Sequence, residues 1–338
     1  MDSVTQIVLG AAVGEAVLGT KEGRKGALWG AVLGTLPDLD VLIYPFVDPV
    51  AQLAVHRAAS HSFIVAILVT PVFGWLLSRI HRKGEAKAGD WILMVFLAFT
   101  THIGIDLFTV YGTQVFWPIS KFPFSFDSMF IIDPAYTLPL ILGVFGSLVV
   151  NRKSKFRTIS NNLGIIVSTC YLTWSMGAKL VAEGSFRQGY AAQTYQIEKM
   201  MTAPSALNTF LWIGMGLRQD SLSVGLYSVL DDMPPSRFTS VARNSQLLEG
   251  HLEDRAIKRL MWFSKGWYNV EEDSLGLVYS DYRFGRNDAW LSDAGEAIFK
   301  FRLVLDSTGT YHTFQNMAPD LRNPKAVLER VIERAKGL

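Results

Sequence analysis

A histidine and an aspartate stand four residues apart inside an apolar stretch, in the motif His102-Ile-Gly-Ile-Asp106. Ionisable side chains are costly within an apolar membrane segment, and those found there usually serve a function. A spacing of four places both side chains on one face of a helix, as two ligands of one metal ion require. The motif therefore predicts a metal site; a structural hydrogen bond inside a helix bundle is the alternative.

More side chains that bind metals stand at the edges of neighbouring apolar stretches. Two aspartates follow Pro37, and two histidines enclose a short segment that begins with Arg57. The aspartates could instead cap a helix or face water. The histidines, five residues apart, fit one site if Ser60 caps the helix that His61 enters. We expect six metal ligands, namely Asp38, Asp40, His56, His61, His102 and Asp106.

Imidazole and carboxylate ligands together suit zinc best, with manganese or iron as alternatives. Six ligands exceed what one catalytic ion needs, so the site could hold one ion or two. Paired ions suit the cleavage of phosphoesters, because they activate water and stabilise the leaving oxygen. Arg57 could hold a phosphate oxygen in a bidentate fork, or it could reach toward lipid headgroups. We expect Arg57, Asp40 and His56 to take part in catalysis.

The composition indicates a membrane protein. Hydrophobic residues make up 49% of the 338 residues, charged residues make up 18%, and the mean hydropathy is +0.22. Charged residues are sparser in the first half than in the second, which predicts a membrane domain (1–182) followed by a soluble domain (183–338). Together with the apolar stretches, basic loops and periodicity described below, this predicts an α-helical polytopic membrane domain followed by a soluble, extracytoplasmic α+β domain. The net charge of +2 and the lack of a basic, aromatic stripe exclude nucleic acid as the expected partner.

Several apolar stretches approach the length that crosses a bilayer. The stretches Ile7 to Leu18 and Ala27 to Val47 are less regular, and Pro37 interrupts the second. They predict a short or re-entrant hairpin, because irregular backbone is tolerated at membrane depth where it lines a cavity. We expect no cleavable signal peptide. The expected spanning helices are Ser62 to Ile80, Trp91 to Val110, Ile131 to Val150 and Leu163 to Val181.

Basic residues in the short loops predict the orientation. Loops rich in lysine and arginine remain in the cytoplasm. The potential metal ligands then approach the opposite, extracytoplasmic face, and the region after Val181 lies on that side too. The three basic clusters are Lys21, Arg24 and Lys25; Arg79, Arg82, Lys83 and Lys87; and Arg152, Lys153, Lys155 and Arg157.

Several motifs of the first 140 or so residues together resemble the YdjM-like family of bacterial inner-membrane proteins. The resemblance implies a membrane-embedded metal site and metal-dependent hydrolysis, and the HxxxD element is similar to one in zinc-dependent phospholipases C. Many relatives carry His in place of Gln6, so its role stays open, as does that of Glu15. The motifs are Met1-Asp2-Ser3-Val4-Thr5-Gln6, Gly10-Ala11-Ala12-Val13-Gly14-Glu15, Leu36-Pro37-Asp38-Leu39-Asp40, His56-Arg57-Ala58-Ala59-Ser60-His61-Ser62, Thr101-His102-Ile103-Gly104-Ile105-Asp106, Tyr111-Gly112-Thr113-Gln114 and Ile132-Asp133-Pro134.

The rest of the chain carries weaker signals. The aromatic stretch from Tyr111 to Phe130 is expected to anchor a loop in the headgroup layer, with a lid over the metal site as the alternative. No motif for catalysis is found beyond Val181. Hydrophobic periodicity there predicts helices at Arg187 to Met201, Leu247 to Phe263 and Pro324 to Lys336, and strands at Thr209 to Gly216, Ser223 to Leu230, Leu277 to Phe284 and Ala297 to Leu305.

These observations favour a membrane-bound metal-dependent hydrolase. Its expected partners are membrane lipid and an amphiphilic substrate, a phospholipid or a lipid-linked phosphoester. The alternative is a non-enzymatic envelope protein, in which the metal is structural and the C-terminal domain binds a partner or ligand. Transport is disfavoured, because the polar residues gather at one face and form no chain across the bilayer.

Overall fold

The computed structural model describes residues 1–194, 196–292, 295–318 and 323–337. Contacts divide the chain into two compact units, each with its own packing. The first unit comprises Met1–Leu42, Val55–Phe126 and Ile131–Trp174, and the second comprises Ile43–Ala54, Asp127–Phe130 and Ser175–Leu338.

Apolar α-helices form the N-terminal half of the chain. A 3₁₀ segment, Leu36–Phe46, follows the second helix, and a short 3₁₀ turn, Ala59–His61, precedes the fourth. The helices are α1 (Ser3–Glu22), α2 (Arg24–Thr35), α3 (Pro49–Val55), α4 (Phe63–Ile80), α5 (Ala88–Asp106), α6 (Pro134–Leu148) and α7 (Lys155–Ala191).

The N-terminal segment is more regular than its sequence predicts. The expected short or re-entrant hairpin is wrong for α1, an unbroken helix long enough to span a membrane. Glu15 interrupts the apolar pattern, but the structure pairs its carboxylate with Arg157, so the helix continues through a neutralised charge. Within the described residues the candidate spans are Ser3–Glu22, Arg24–Phe46, Phe63–Ile80, Ala88–Asp106 and Lys155–Ala191, with Pro134–Leu148 as a shorter apolar helix.

Glycines bring α1 and α2 into backbone contact. A Cβ atom at Gly10 would lie 2.3 Å from the carbonyl oxygen of Gly30, and one at Gly14 would lie 2.1 Å from that of Gly26. Small residues at such positions allow membrane helices to approach closely. The α1–α2 hairpin therefore closes tightly and places Gly34, at the end of α2, beside the first turn of α1.

Helices α4 and α5 pack antiparallel against this hairpin. Trp91, Met94 and Ala98 of α5 are fully buried in the core that they share. The Ser62 hydroxyl caps α4 by accepting hydrogen bonds from the amides of its first turn. The start of α4 and the end of α5 thus lie at the same end of the bundle, and the sequence-predicted ligands lie there.

The basic loops meet at the other end of the bundle. The Lys21 ammonium lies 2.6 Å from an Asp90 carboxylate oxygen, and Arg152 donates to the carbonyl oxygen of Lys21 and pairs with Glu85. Helix α6 connects the two ends. Just before it, the carbonyl oxygen of Ile131 accepts from the Asp2 amide, and at its last residue the carbonyl oxygen of Leu148 accepts from Arg24. The chain therefore crosses the length of the bundle in α6 as well.

The second unit is an α+β fold with two antiparallel four-stranded sheets, in the orders β1-β2-β3-β4 and β5-β6-β7-β8. Trp212 stands opposite Tyr227 in the first sheet, and Tyr279 stands opposite Phe301 in the second. The elements are β1 (Lys199–Pro204), β2 (Leu211–Arg218), β3 (Ser221–Ser228), β4 (Thr239–Ala242), α8 (Arg255–Ser264), β5 (Tyr268–Asp273), β6 (Gly276–Arg286), β7 (Ala297–Leu305), β8 (Tyr311–Met317) and α9 (Pro324–Ala335).

The sequence-based assignments in this unit hold for β2, β3, β6, β7 and α9. The helix predicted from Arg187 to Met201 is wrong beyond Ala191, because α7 ends there and the chain from Lys199 onward forms β1, which pairs with β2. The helix predicted from Leu247 to Phe263 begins later, at Arg255, after a 3₁₀ turn.

Candidate metal centre

Four of the expected ligands converge at one end of the first unit. They are Asp38, in the 3₁₀ segment after α2; His61, just before α4; and His102 and Asp106, in the last turns of α5. Each offers one ligand atom, and the four atoms all lie within 4.8 Å of one another. His61, His102 and Asp106 are buried, and the Asp38 side chain is 22% exposed. The cluster could hold a metal ion.

The separations of the ligand atoms suit one small ion. His61 Nε2 lies 3.1 Å from Asp106 Oδ2 and 3.3 Å from Asp38 Oδ1. His102 Nε2 lies 3.1 Å from His61 Nε2 and 3.6 Å from Asp38 Oδ1. Four ligands at tetrahedral zinc distances stand about 3.3 to 3.6 Å apart. The geometry therefore approximates a coordination sphere.

The outer nitrogen of each histidine already has a partner. His102 Nδ1 donates to the carbonyl oxygen of Gly34 at 2.7 Å. His61 Nδ1 lies 2.9 Å from the Ser60 hydroxyl, which donates in turn to Asp40 Oδ2 at 2.8 Å. When both Nδ1 atoms donate, the two Nε2 atoms present lone pairs to each other. Second partners of this kind fix the tautomer of metal-binding histidines.

The fit to a cation rests on an orphaned oxygen. Asp106 Oδ2 is buried and accepts no hydrogen bond from any residue that the structure describes, although His61 Nε2 is 3.1 Å away. A buried acceptor without a partner is costly. The lone pairs of the two Nε2 atoms and this carboxylate oxygen surround one position. A cation at that position would satisfy all three atoms.

The electrostatic environment of His61 agrees. Burial alone would lower the pKa of His61, but the nearby carboxylates of Asp106 and Asp38 outweigh burial and raise the pKa above its ordinary value. The pocket thus favours positive charge at the position of the ligand atoms.

The other oxygen of Asp106 is held by donors. Gln6 Nε2 donates to Asp106 Oδ1 at 3.1 Å, Arg57 Nη2 lies 3.3 Å from the same oxygen, and the amino group of Met1 contacts it. Gln6, whose role the sequence left open, therefore contacts a ligand. These donors orient the carboxylate so that Oδ2 faces the histidines.

Arg57 is buried beside the cluster in an unusual backbone conformation. Its φ angle of 56° is in the left-handed region, and its amide donates to Asp40 Oδ2 at 3.0 Å. Its side chain donates to the Thr109 hydroxyl at 3.0 Å and stacks over the ring of Tyr111. Its Nε–H has no acceptor among the described residues. The guanidinium is fixed in place with one donor unused.

Asp40 and His56 form a pair next to the four-ligand group. His56 Nδ1 lies 2.9 Å from Asp40 Oδ1, and the His56 side chain is 17% exposed. Asp40 also accepts from Ser60 and from the Arg57 amide, so it connects the pair to His61. The pair resembles a histidine oriented by a carboxylate for proton transfer.

The structure also shows roles that the sequence did not reveal. Ser60 bridges Asp40 and His61, Gly34 orients His102 through its carbonyl oxygen, and Thr109 holds Arg57. Proximity in sequence was the only available signal: Ser60 precedes His61, and Thr109 follows Asp106 by three residues. Glu15 binds Arg157 with both carboxylate oxygens, with Arg157 Nη2 at 2.6 Å.

Fold and site define a class: a polytopic helical membrane protein with a buried histidine–aspartate cluster that could hold a metal ion, followed by an α+β unit. A family model described as YdjM inner membrane protein matches residues 1–182, more than half of the chain. The chain belongs to this family, and the resemblance of its motifs is confirmed. No curated protein and no solved structure matches the chain.

Proposed function

We propose that the protein is a membrane-bound metal-dependent hydrolase that cleaves a phosphoester of an amphiphilic substrate. One arrangement carries the proposal: an arginine with an unused donor and a histidine–aspartate pair adjoin the four-ligand cluster. A purely structural metal site needs neither. Phosphoester cleavage needs both an anion-binding group and a group that moves protons.

Asp38, His61, His102 and Asp106 would hold the ion, and zinc suits this set best, with manganese or iron as alternatives. When bound, a divalent ion supplies Lewis acidity at neutral pH. Asp38 is the exposed member of the set, so the substrate would approach along its side of the cluster.

Arg57 would bind the anionic phosphoryl group. Its Nε–H is the unused donor, and its Nη atoms are already positioned by Asp106 and Thr109. A guanidinium held in this way binds phosphate oxygens with little loss of side-chain entropy.

His56 would move the proton. Asp40 Oδ1 lies 2.9 Å from Nδ1 and orients the ring, and the partial exposure of the ring connects it to solvent. Asp40 would stabilise the charged imidazole when it forms.

The location of the four-ligand cluster supports an amphiphilic substrate. The four ligands lie at the end of the bundle opposite the basic loops. By the positive-inside rule, the ligands would therefore face the extracytoplasmic side. A phospholipid or a lipid-linked phosphoester presents its ester at that boundary. Both compounds suit a centre that lies at the end of apolar helices.

A structural metal site is the second candidate, favoured by one observation. Four protein ligands complete a tetrahedral set, as in structural zinc sites, whereas catalytic sites keep one position open. In that case the ion would join the segment after α2 and the turn before α4 to the end of α5, and the protein would have no hydrolase activity. The two candidates differ in what Arg57 does.

Metal analysis of detergent-purified protein tests the cluster. We expect about one divalent ion per chain in the wild type and its loss in His102→Ala, because the variant removes a buried ligand. His312→Ala is the matched control, since this histidine is exposed in the second unit. Equal metal content in the three proteins would refute the site.

Arg57→Lys separates catalysis from a structural role. Lysine keeps the charge beside Asp106 but loses the planar fork, so metal content should stay at the wild-type level. Headgroup release from mixed lipid extracts should fall about 100-fold or more. Wild-type protein that is loaded with metal yet cleaves no lipid phosphoester would favour the structural candidate.

A further inference from the structure

An apolar crevice adjoins the metal centre within the first unit. Its volume is about 140 Å³. Most of its lining is hydrocarbon, and Ser60 is a polar residue at its edge. The lining residues that matter here are Pro37, Ser60, Val65, Val69, Phe73 and Phe99.

One end of the crevice lies next to the ligands. Pro37 directly precedes Asp38, and Ser60 precedes His61 and binds its ring nitrogen. Phe99 lies three residues before His102 on the same helix. A molecule with its reactive group at the metal centre would therefore have its nearest apolar part at the mouth of the crevice.

The crevice extends along α4, away from the ligands. Val65, Val69 and Phe73 follow one another at intervals of four, so their side chains form one stripe about 12 Å long. The other side of α4 is exposed, with Leu68 at 69%. Because α4 is a candidate membrane span, that exposed side is a surface for hydrocarbon.

Size and lining identify the occupant. A dry cavity of about 150 Å³ lined by Leu, Ile and Phe binds benzene, so a crevice of this volume holds about six carbon atoms. Water gains little there, since the lining offers few polar partners. In a membrane the abundant hydrocarbon of this width is a linear acyl chain.

We infer that the crevice binds the proximal segment of one fatty-acyl chain of a glycerophospholipid while the phosphoester of that lipid is at the metal centre. This inference rests on the proposed function and narrows its substrate to acyl lipids. Because the crevice holds the part of the chain beside the ester, the protein would distinguish lipids by whether their acyl chain is long enough to fill the crevice.

Filling the crevice tests the inference. Val69→Trp places a large ring in it, and Leu68→Trp adds the same ring one residue away on the exposed side. Both variants should keep the wild-type metal content. For a long-chain phospholipid, kcat/KM should fall at least tenfold in Val69→Trp and stay within twofold in Leu68→Trp. Hydrolysis of bis-p-nitrophenyl phosphate, which has no acyl chain, should be unchanged in both.

Equal rates for the two variants on the long-chain phospholipid would overturn the inference, as would an equal loss on the chainless substrate. Val69→Phe, a smaller replacement, serves if the tryptophan variant does not fold. Faster cleavage of a polyprenyl phosphate ester than of the phospholipid would overturn the assignment to acyl chains.

A binding measurement separates this inference from the proposed function. A phospholipid with a diazirine near the acyl carbonyl should label Val65, Phe73 or Phe99 in the wild type and in Leu68→Trp, and not in Val69→Trp. Labelling without turnover would retain the crevice and reject the hydrolase. Turnover without labelling at these residues would reject the crevice and retain the hydrolase.

Discussion

The Ser60 hydroxyl contacts two residues of the candidate metal centre, His61 and Asp40. It accepts a hydrogen bond from His61 Nδ1 and donates one to Asp40 Oδ2. In Ser60→Ala the buried ring loses this partner, so its orientation and tautomer are no longer fixed. We expect the affinity for zinc to fall about 10- to 100-fold, measured by competition with a chelator.

Ser78→Ala is the matched control for this variant. The Ser78 hydroxyl donates within its own helix, to the carbonyl oxygen of Trp75, at the other end of α4. Its removal should leave zinc affinity unchanged. An equal affinity in Ser60→Ala and in the control would show that Ser60 does not position His61.

The sequence predicted the ligand side chains of the candidate metal centre, but it did not predict the hydrogen bonds that connect them. The spacing of His102 and Asp106 indicated one helix face, and the structure places both in the four-ligand group. Hydrogen bonds through Ser60 and the carbonyl oxygen of Gly34 have no sequence signature, because any residue carries a carbonyl oxygen and serine is common. Glu15 was ambiguous for a similar reason, since its partner Arg157 lies 142 residues away.

Among the helices, α1 and α2 show how backbone contact sets the position of the ligands. A Cβ atom at Gly30 would lie 2.1 Å from the carbonyl oxygen of Gly10, so Gly30→Ala must separate the helices. We expect a loss of about 1–3 kcal/mol in stability, the usual cost of overpacking. Thermal unfolding in detergent measures it.

The control for this variant is Gly177→Ala in α7, where an added Cβ meets nothing within 4 Å. Alanine favours a helix over glycine, so the control should be as stable as the wild type or more stable. If both variants unfold at the wild-type temperature, the close contact of α1 and α2 contributes nothing to stability.

The strands show which elements a sequence reveals. All four strands that were predicted lie inside their sheets, and all four that were missed, β1, β4, β5 and β8, lie at the edges. A central strand such as β2 is buried along most of its length and therefore has an apolar sequence. An edge strand such as β4 is exposed, and polar residues there protect it from pairing with other chains.

At the scale of the whole molecule, the passage of the chain through the membrane can be tested independently of any chemistry. Helices α1, α2, α4, α5, α6 and α7 run in turn between the ligand end and the basic end of the bundle. Lysine and arginine resist translocation, so the basic end should be cytoplasmic. Reporter fusions should be active in the cytoplasm after Lys87 and Arg157, and outside it after Ser120 and at the C-terminus.

A cytoplasmic reporter at Ser120 together with an external one at Lys87 would show that the molecule has the opposite orientation, with the candidate metal centre inside the cell. A cytoplasmic reporter at the C-terminus alone would instead show that the bundle has one crossing fewer or more. The two outcomes therefore separate the orientation of the bundle from the number of its helices.

The buried pair between Glu15 and Arg157 has a consequence for the order of synthesis. Glu15 lies about 10 Å inside the end of α1, and its partner emerges from the ribosome 142 residues later. Until then α1 carries a carboxylate without a counter-ion, which lipid accepts only at a cost. We therefore expect the first helix to be fully stabilised in the bilayer only when the last has begun to enter it. We expect the bundle to leave the insertion machinery late, once Arg157 can neutralise Glu15.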